Sequence, residues 1–370
     1  MKIKTIRSKM LGGLDAMKGA LSGSNTASPL RLMKIETFGS DCVLLSATNG
    51  DIYMTSRVFC EVEKDGAAVL DGRKFTAFVG ALEEGVANLD FGGRNVKISG
   101  GAAQFRLSCG EIADFYTMPT PTEESCVSFE IGDAQLKELF RKTAYAACTD
   151  RTRAAICGVR FETEGETLTV CAVDGRSLSM VCTAIADCKP VQFTLPNAAV
   201  KELARLVAKR CNPEGETLTV KTDGKTVSVT AELWNFTAKL IDGVYPTWRK
   251  VLPADGGDPC TMDRVRFLDQ MRRAQCASEG ENNTVEITFI PASVEFRAKC
   301  AEYSSETKMD ADYAGEKRVL SFNAELIARV LECLDDDRVT VRLFGEGENN
   351  ILIESDGLPF KAVVVPMRHQ

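Results

Sequence analysis

Residues 196–207 (PNAAVKELARLV) and residues 322–333 (FNAELIARVLEC) are two versions of one pattern, and Asn323 follows Asn197 by 126 residues. In each stretch an Asn-Ala pair precedes apolar residues at helical spacing. Asn is a favoured N-cap because its side-chain oxygen accepts a hydrogen bond from an unpaired amide in the first helical turn. The two stretches therefore predict equivalent helices in a repeated unit.

A second pair of helices is predicted upstream of the first pair. Residues 132–147 (GDAQLKELFRKTAYAA) and 262–277 (MDRVRFLDQMRRAQCA) each place an Asp, Asp133 or Asp263, at the cap. In the first third, a weaker helix is predicted at about 8–21, with Gly12 and Gly13 inside it, and another at 73–82. Each third of the chain is thus expected to carry two helices.

Alternating apolar and polar runs between the helices predict strands. Residues 222–225 (TDGK) separate two such runs, and Asp-Gly tolerates the positive φ of a tight hairpin turn. Consecutive strands favour antiparallel sheet covered by helices. The expected fold class is α+β, with three tandem repeats of a two-helix, antiparallel-sheet unit. Turn-rich stretches near 120–125 and 253–260 place the domains at 1–123, 124–254 and 255–370.

Composition limits the kinds of function. The 370 residues are 44% hydrophobic and 26% charged, with a net charge of −7, so any nucleic-acid contact must come from a local basic surface. Asp15 and Lys18 interrupt the apolar part of the N-terminus, which argues against a signal peptide, and a membrane-spanning run is absent from the sequence. The cytoplasm is the expected location.

The sequence offers little for catalysis. Its fourteen cysteines include no Cys-x-x-Cys pair, the closest being Cys182 and Cys188, and its one histidine is His369. Zinc ligands are usually two to four residues apart, and acid–base catalysis commonly uses histidine. Asp335–Asp337 follows a helical pattern and is interpreted as a polar turn. We expect reduced cysteines, no metal, no cofactor and no enzymatic activity.

Basic side chains recur on the predicted helices. Lys201, Arg205 and Lys209 are four residues apart and form one row opposite the apolar face. Such a row favours contact with phosphates without reading base sequence, although an ordinary solvated helix face is the alternative. The candidate DNA-facing residues are Arg73, Lys137, Arg141, Lys201, Arg205, Lys209, Arg266 and Arg273.

Four stretches resemble the bacterial DNA polymerase III beta subunits, the replicative sliding clamps. They are FTAKLIDGVYPTWRKVLP (236–253), CAVDGRSLSM (171–180), ATNGDIYMTSRV (47–58) and the ending FKAVVVPMRHQ (360–370). The resemblance implies a non-catalytic head-to-tail homodimer whose domains form a ring. Such a ring encircles double-stranded DNA and tethers the replicative polymerase, with helices lining the hole.

The resemblance also implies a C-terminal apolar pocket for short peptides of polymerases and the clamp loader. The positions that match it, or stand at its rim, are Ile156, Val173, Gly175, Arg176, Leu178, Pro246, Lys250, Val251, Val363, Val364, Val365, Pro366 and Met367. Arg176 and Ser177 stand where the family has His-Arg. His369-Gln370 replaces the family's terminal Leu, so partner choice is expected to differ.

At the dimer seam, the resemblance matches Phe105 and Leu107 to apolar contacts of the first domain. Gln275 and Cys276 occupy positions on the other side that are usually aliphatic. Two other interpretations stay open at this point. One is a non-ring adaptor that binds clamp-interacting peptides without encircling DNA, and the other is a thiol- or metal-dependent enzyme.

Overall fold

The computed structural model describes residues 1–21, 29–117, 119–121, 126–210, 215–253, 256–277, 283–299, 304–344, 350–355 and 359–367. Within these residues the predicted pattern of two helices in each third is confirmed. The helices are α1 (Arg7–Ala16), α2 (Gly72–Gly80), α3 (Asp133–Thr143), α4 (Asn197–Arg210), α5 (Arg264–Ala277) and α6 (Ala324–Glu332). Because α1 passes into a short 3-10 turn at Met17–Ala20, its α-helical part is shorter than predicted.

Strands fill most of the remaining described chain. The first ten are β1 (Lys2–Ile6), β2 (Leu32–Thr37), β3 (Cys42–Thr48), β4 (Ile52–Phe59), β5 (Glu61–Lys64), β6 (Ala67–Asp71), β7 (Val86–Gly92), β8 (Asn95–Gly100), β9 (Ala103–Gly110) and β10 (Val127–Gly132). The next six are β11 (Gly158–Val173), β12 (Ser177–Pro196), β13 (Thr217–Thr222), β14 (Thr226–Thr230), β15 (Trp234–Lys239) and β16 (Asp258–Asp263). The last seven are β17 (Thr284–Ile290), β18 (Ser293–Lys299), β19 (Ser304–Asp310), β20 (Arg318–Asn323), β21 (Arg338–Leu343), β22 (Ile351–Ser355) and β23 (Phe360–Val364).

The chain forms two compact units, which do not coincide with the three sequence repeats. The first unit comprises Met1–Asp133 and Lys201–Leu240. Its sheet has the order β10-β13-β14-β15-β4-β3-β2-β6-β9-β8-β7-β1-β5. Strand β15 pairs with β4, and Trp234 lies opposite Ser56, so main-chain hydrogen bonds join strands of the first and middle thirds. This pairing is the physical reason why the middle third is divided between the two units.

The second unit comprises Ala134–Val200 and Ile241–Gln370. It contains a six-stranded sheet, β11-β12-β23-β22-β21-β16, and a four-stranded sheet, β19-β18-β17-β20. All pairings that the structure records between the named strands are antiparallel, as predicted. Helices α5 and α6 pack against each other in this unit.

Local signals account for several boundaries. The side chain of Asn323 accepts hydrogen bonds from the amides of Glu325 and Leu326, so it caps α6 as predicted. The carboxylate of Asp263 accepts from the amide of Arg266 at 2.7 Å and caps α5. Gly224, with φ +82°, turns the hairpin between β13 and β14.

A glycine allows α1 to lie close to the first sheet. A Cβ atom added to Gly13 would lie 2.3 Å from Cγ2 of Val58 in β4. Met10 and Leu14 of the same helix are fully buried. The glycine that weakens this helix in the sequence is therefore required by its packing, because a side chain there would push the helix away from the sheet.

Candidate functional site

An apolar cluster in the second unit brings together three of the predicted pocket residues. Val173 at the end of β11, Leu178 at the start of β12 and Val363 in β23 are all buried in it. The other buried members are Cys171, Met180, Tyr245, Trp248, Phe344 and Leu352, and Ile156, Cys182 and Leu252 pack against their edge. Val173 and Val363 are nearly 200 residues apart in sequence. They lie in the same cluster because β12 pairs with both β11 and β23.

A tight turn joins β11 to β12 beside the cluster. One carboxylate oxygen of Asp174 accepts hydrogen bonds from the amides of Arg176 and Ser177, at 2.8 and 2.6 Å. Gly175 has φ +87°, and a Cβ atom there would lie 2.7 Å from Nη1 of Arg153. The turn therefore needs glycine for its backbone conformation, and a side chain there would also displace the end of Arg153.

The segment after β23 continues along the edge of the cluster. The amide of Val365 donates to the carbonyl of Arg176 at 2.9 Å, and the amide of Met367 donates to the carbonyl of Ser321 at 2.7 Å. Val364 is fully buried, Val365 is 37% exposed, and Pro366 is partly exposed. This segment is thus fixed at its backbone and still presents apolar side chains at the surface. His369 and Gln370 lie outside the described residues.

A short 3-10 turn at Trp248–Val251 forms another wall of the site. Trp248 is buried, whereas Val251 is 42% exposed. Pro246 and Lys250 are also exposed. The thirteen predicted pocket residues consequently fall into a buried group (Val173, Leu178, Val363, Val364), an exposed rim (Gly175, Arg176, Pro246, Lys250, Val251, Val365) and a partly buried remainder (Ile156, Pro366, Met367). Val173, Leu178 and Val363 form a buried floor in the cluster, whereas Val364, the next residue along β23, is buried on the opposite face of the sheet.

A charged network that sequence reasoning missed supports this turn. Glu162 on β11 accepts hydrogen bonds from Nε1 of Trp248 at 3.3 Å, from Arg160 at 3.2 Å and from Arg249. Burial alone would raise the pKa of Glu162, but the hydrogen bonds from Arg249, Trp248 and Arg160 lower it overall. The guanidinium of Arg160 also lies 5.5 Å from the ring centroid of Tyr245. The adjacent Trp-Arg pair in residues 236–253 was the only available signal for this network.

The predicted DNA-facing residues differ in how they are paired. In the first unit, Arg205 lies 2.9 Å from Glu202 and 3.3 Å from Asp15, and Lys209 lies 2.8 Å from Asp15. Lys201 is exposed, and no ion pair to it is formed within the described residues. Arg73 is exposed on α2. Carboxylates therefore neutralise part of the predicted row on α4.

The second unit shows the same mixture. Arg141 pairs with Glu138 at 2.6 Å and with Asp335. The other three predicted residues, Lys137 on α3 and Arg266 and Arg273 on α5, are exposed. Among the described side chains these three have no acidic partner within salt-bridge distance. In this unit, therefore, Arg141 is already paired with carboxylates, whereas Lys137, Arg266 and Arg273 are available to a ligand.

The predicted seam residues lie on one strand and one helix. Phe105 on β9 stacks on Phe78 of α2, with ring centroids 4.8 Å apart. Leu107 is partly buried on the same strand. Strand β9 pairs with β8 along residues 103–108, and among the described strands none pairs with its other edge there. Gln275 is partly buried and Cys276 exposed in the last turn of α5.

Candidate metal ligands do not gather anywhere in the described part of the chain. Among these described residues, no group of three or more His, Cys, Asp or Glu side chains is placed so that it could hold a metal ion. Across the same residues, none of the helices is long and apolar enough to span a membrane.

Comparison with known proteins gives one consistent result. Models of the N-terminal, central and C-terminal domains of the DNA polymerase III beta subunit match residues 1–119, 130–247 and 249–368. The chain is 26% identical to the beta sliding clamp of Escherichia coli K12, over the whole of both chains. A crystal structure of the DNA polymerase sliding clamp from Pseudomonas aeruginosa matches with a TM-score of 0.91, 22% identity and full coverage of both chains. The DNA polymerase III beta subunit from Thermotoga maritima matches with a TM-score of 0.89 and 20% identity, also with full coverage.

Proposed function

Since the chain belongs to the DNA polymerase III beta subunit family, we infer that it is a non-catalytic sliding clamp that encircles duplex DNA and tethers a polymerase. The observation that carries this inference is the match of all three family domains, in order, along one chain. The predicted fold class is confirmed as the DNA clamp fold of three domains with helices and antiparallel sheet. We propose the domain bounds 1–123, 124–254 and 255–370, and the cytoplasm as the location.

We propose that the ring holds DNA through phosphate contacts without reading base sequence. The exposed cations Lys137, Lys201, Arg266 and Arg273 are the best supported contacts, because the described residues give them no competing carboxylate. Arg73 is exposed on α2 and is a further candidate contact on that ground alone. The paired cations Arg141, Arg205 and Lys209 contribute less, since the neighbouring acids cancel much of their field. Weak, sequence-blind attraction suits a protein that slides.

We propose that the apolar cluster and its exposed rim receive a short apolar peptide of the polymerase or the clamp loader. Val251, Val365 and Pro246 supply apolar surface above a buried floor. Arg176 and Lys250 supply charge at the rim, where they steer a partner more than they hold it. An anchor side chain that covers this surface gains affinity by removing apolar area from water.

We propose that a head-to-tail homodimer closes the ring at β9. The open edge at residues 103–108 offers main-chain groups to a partner, and Phe105 and Leu107 lie within this stretch. In the second unit, β19 pairs with β18 on one edge, and no described strand covers its other edge along residues 304–310. Two such edges suit pairing between β9 of one protomer and β19 of its partner, with Gln275 and Cys276 on the adjoining helix.

The test is retention of the loaded protein on circular DNA. A topological hold predicts that the protein stays on a nicked circle at high salt and leaves when the circle is cut once. Equal retention on circular and linear DNA contradicts the ring. Light scattering at micromolar concentration gives a second readout, with a mass of twice the 40.3 kDa chain expected. A mass of one chain contradicts the stable dimer.

A further inference from the structure

Two cysteines next to the peptide site lie side by side. The thiols of Cys148 and Cys157 both approach the carbonyl oxygen of Asp150, at 3.9 and 3.1 Å. Cys148 is 1% exposed, whereas Cys157 is partly exposed. The two residues flank a loop, 149–156, that contains the 3-10 turn Arg151–Ile156. The two sulfurs therefore lie around one carbonyl oxygen at the point where the loop closes.

Main-chain hydrogen bonds hold the two cysteines in this position. The amide of Cys148 donates to the carbonyl of Ile156 at 3.2 Å, and the amide of Asn197 donates to the carbonyl of Cys157 at 3.0 Å. The side-chain amide of Asn197 donates to the carbonyl of Cys148 at 2.7 Å. Asn197 was predicted as a helix cap, and in the structure its side-chain amide and its main-chain amide together bond the two ends of this loop. A disulfide requires two neighbouring backbones, which this arrangement supplies.

Burial and the neighbouring thiol affect the reactivity of Cys157. Burial raises the pKa of Cys157, and the Cys148 thiol beside it raises that pKa further. Because the thiolate is the reacting form, exchange is expected to be slow at neutral pH and faster in mildly alkaline solution.

We propose that Cys148 and Cys157 form a redox pair that becomes a disulfide on exposure to a small-molecule disulfide and thereby alters the peptide site. The Cys157 thiolate attacks one sulfur of the oxidant and releases one small thiolate. The Cys148 thiolate then attacks the Cys157 sulfur, forms the protein disulfide and releases the second small thiolate. The two protons of the cysteine thiols pass through solvent to the two released thiolates, so the oxidant gains both electrons.

The loop connects this pair to the peptide site. Nη1 of Arg153 donates to the carbonyl of Asp174 at 2.7 Å, directly under the turn at Gly175. Ile156 packs against the apolar cluster. Forming the bond takes both sulfurs away from the Asp150 carbonyl and changes the shape of the loop that carries Arg153 and Ile156. This effect on peptide affinity rests on the proposed function, whereas formation of the bond does not.

Mass spectrometry tests the bond directly. The full chain is incubated with oxidised glutathione at pH 8.5, free thiols are alkylated, and trypsin is added without reductant. Cleavage after Lys142, Arg151, Arg153 and Arg160 separates the two cysteines, so the disulfide joins the peptides 143–151 and 154–160. Recovery of this joined pair is expected. Two alkylated thiols, or Cys157 recovered only as a mixed disulfide with glutathione, would overturn the proposal.

Peptide affinity tests the consequence. A fluorescein-labelled peptide ending in Leu-Phe is titrated with reduced and with oxidised protein, and at least a threefold change in Kd is expected. Cys157→Ser should abolish the change, with Cys157→Ala as a second variant, while Cys188→Ser on β12 should retain it. An unchanged Kd in protein that carries the bond refutes the regulatory part. Failure of the reduced protein to bind the peptide counts against the proposed function, and the joined tryptic pair still decides the redox pair.

Discussion

The ammonium group of Lys209 lies 2.8 Å from a carboxylate oxygen of Asp15, although 194 residues separate them in sequence. The pair joins α4 to α1 within the first unit, and Arg205 reaches the same oxygen at 3.3 Å. Burial raises the pKa of Asp15, but the hydrogen bond and charge of Lys209 and the charge of Arg205 lower it overall. Asp15 therefore stays ionised and cancels charge on the row that was predicted to face DNA.

Asp15→Asn is expected to strengthen DNA binding. Removing the carboxylate releases Arg205 and Lys209 from their acidic partner, so affinity for duplex DNA should rise several-fold at low salt, with a steeper salt dependence. Fluorescence anisotropy at several salt concentrations measures both. Asp51→Asn is the matched control, because it removes the same charge from a pair with Lys239 on β15. An equal gain in both variants would mean that only net charge matters.

Gly175→Ala is expected to damage both stability and the peptide site. Alanine would have to adopt φ +87°, and its Cβ would displace Nη1 of Arg153 from its hydrogen bond to Asp174, so we expect a loss of about 2–3 kcal/mol in the free energy of unfolding. Gly224→Ala has a similar φ of +82° with no atom within 4 Å of its Cβ, and should cost about 1–2 kcal/mol. Urea unfolding compares the two. Peptide affinity should fall for Gly175→Ala alone.

Val251→Ala is expected to weaken peptide binding without weakening the fold. Val251 is 42% exposed at the rim, so its truncation removes contact area for the ligand more than it removes core packing. We expect Kd to rise by about three- to tenfold, with unfolding free energy changed by less than about 0.5 kcal/mol. Val86→Ala, at a residue 49% exposed in β7, serves as control. Equal peptide affinity in both variants would exclude Val251 from the site.

Glu162→Gln is expected to change how stability depends on pH. The folded protein lowers the pKa of Glu162 below its ordinary value of 4.5. The ionised carboxylate therefore contributes stability that is present above pH 4.5 and is lost as the pH falls through the folded pKa. At pH 7 the variant should be less stable by about 1–3 kcal/mol, and the difference should shrink below pH 4.5. Urea unfolding at pH 7, 5 and 4 measures it, and a difference independent of pH would contradict this account.

Local patterns in the sequence were sufficient for the repeated helices. The cap at Asn323 and the turn at Gly224 depend on residues within three positions of each other, so the sequence alone predicted them. The weak prediction for α1 had a different origin. Gly13 lowers the helix propensity of this segment. A glycine is needed there because the helix lies against Val58, and this contact cannot be recognised from the local sequence.

Long-range pairing limited what could be predicted about the sites. The resemblance supplied Val173, Leu178 and Val363, and the structure places all three in one cluster. The partners of Glu162 and Lys209 were missed because they lie 87 and 194 residues away along the chain. Periodicity identifies the face of a helix, but only the folded chain shows which charges on that face are already neutralised.

The pairing of β15 with β4 determines where a closed clamp can be opened. DNA can enter a ring only if one of its joins separates, and that separation costs least where the fewest bonds must break together. Separating β15 from β4 would break a row of main-chain hydrogen bonds and uncover Phe236 and Met54, both fully buried. The gate of the proposed ring is therefore not expected at this pairing, and a clamp loader would open the ring at another join while the first unit moves as one piece.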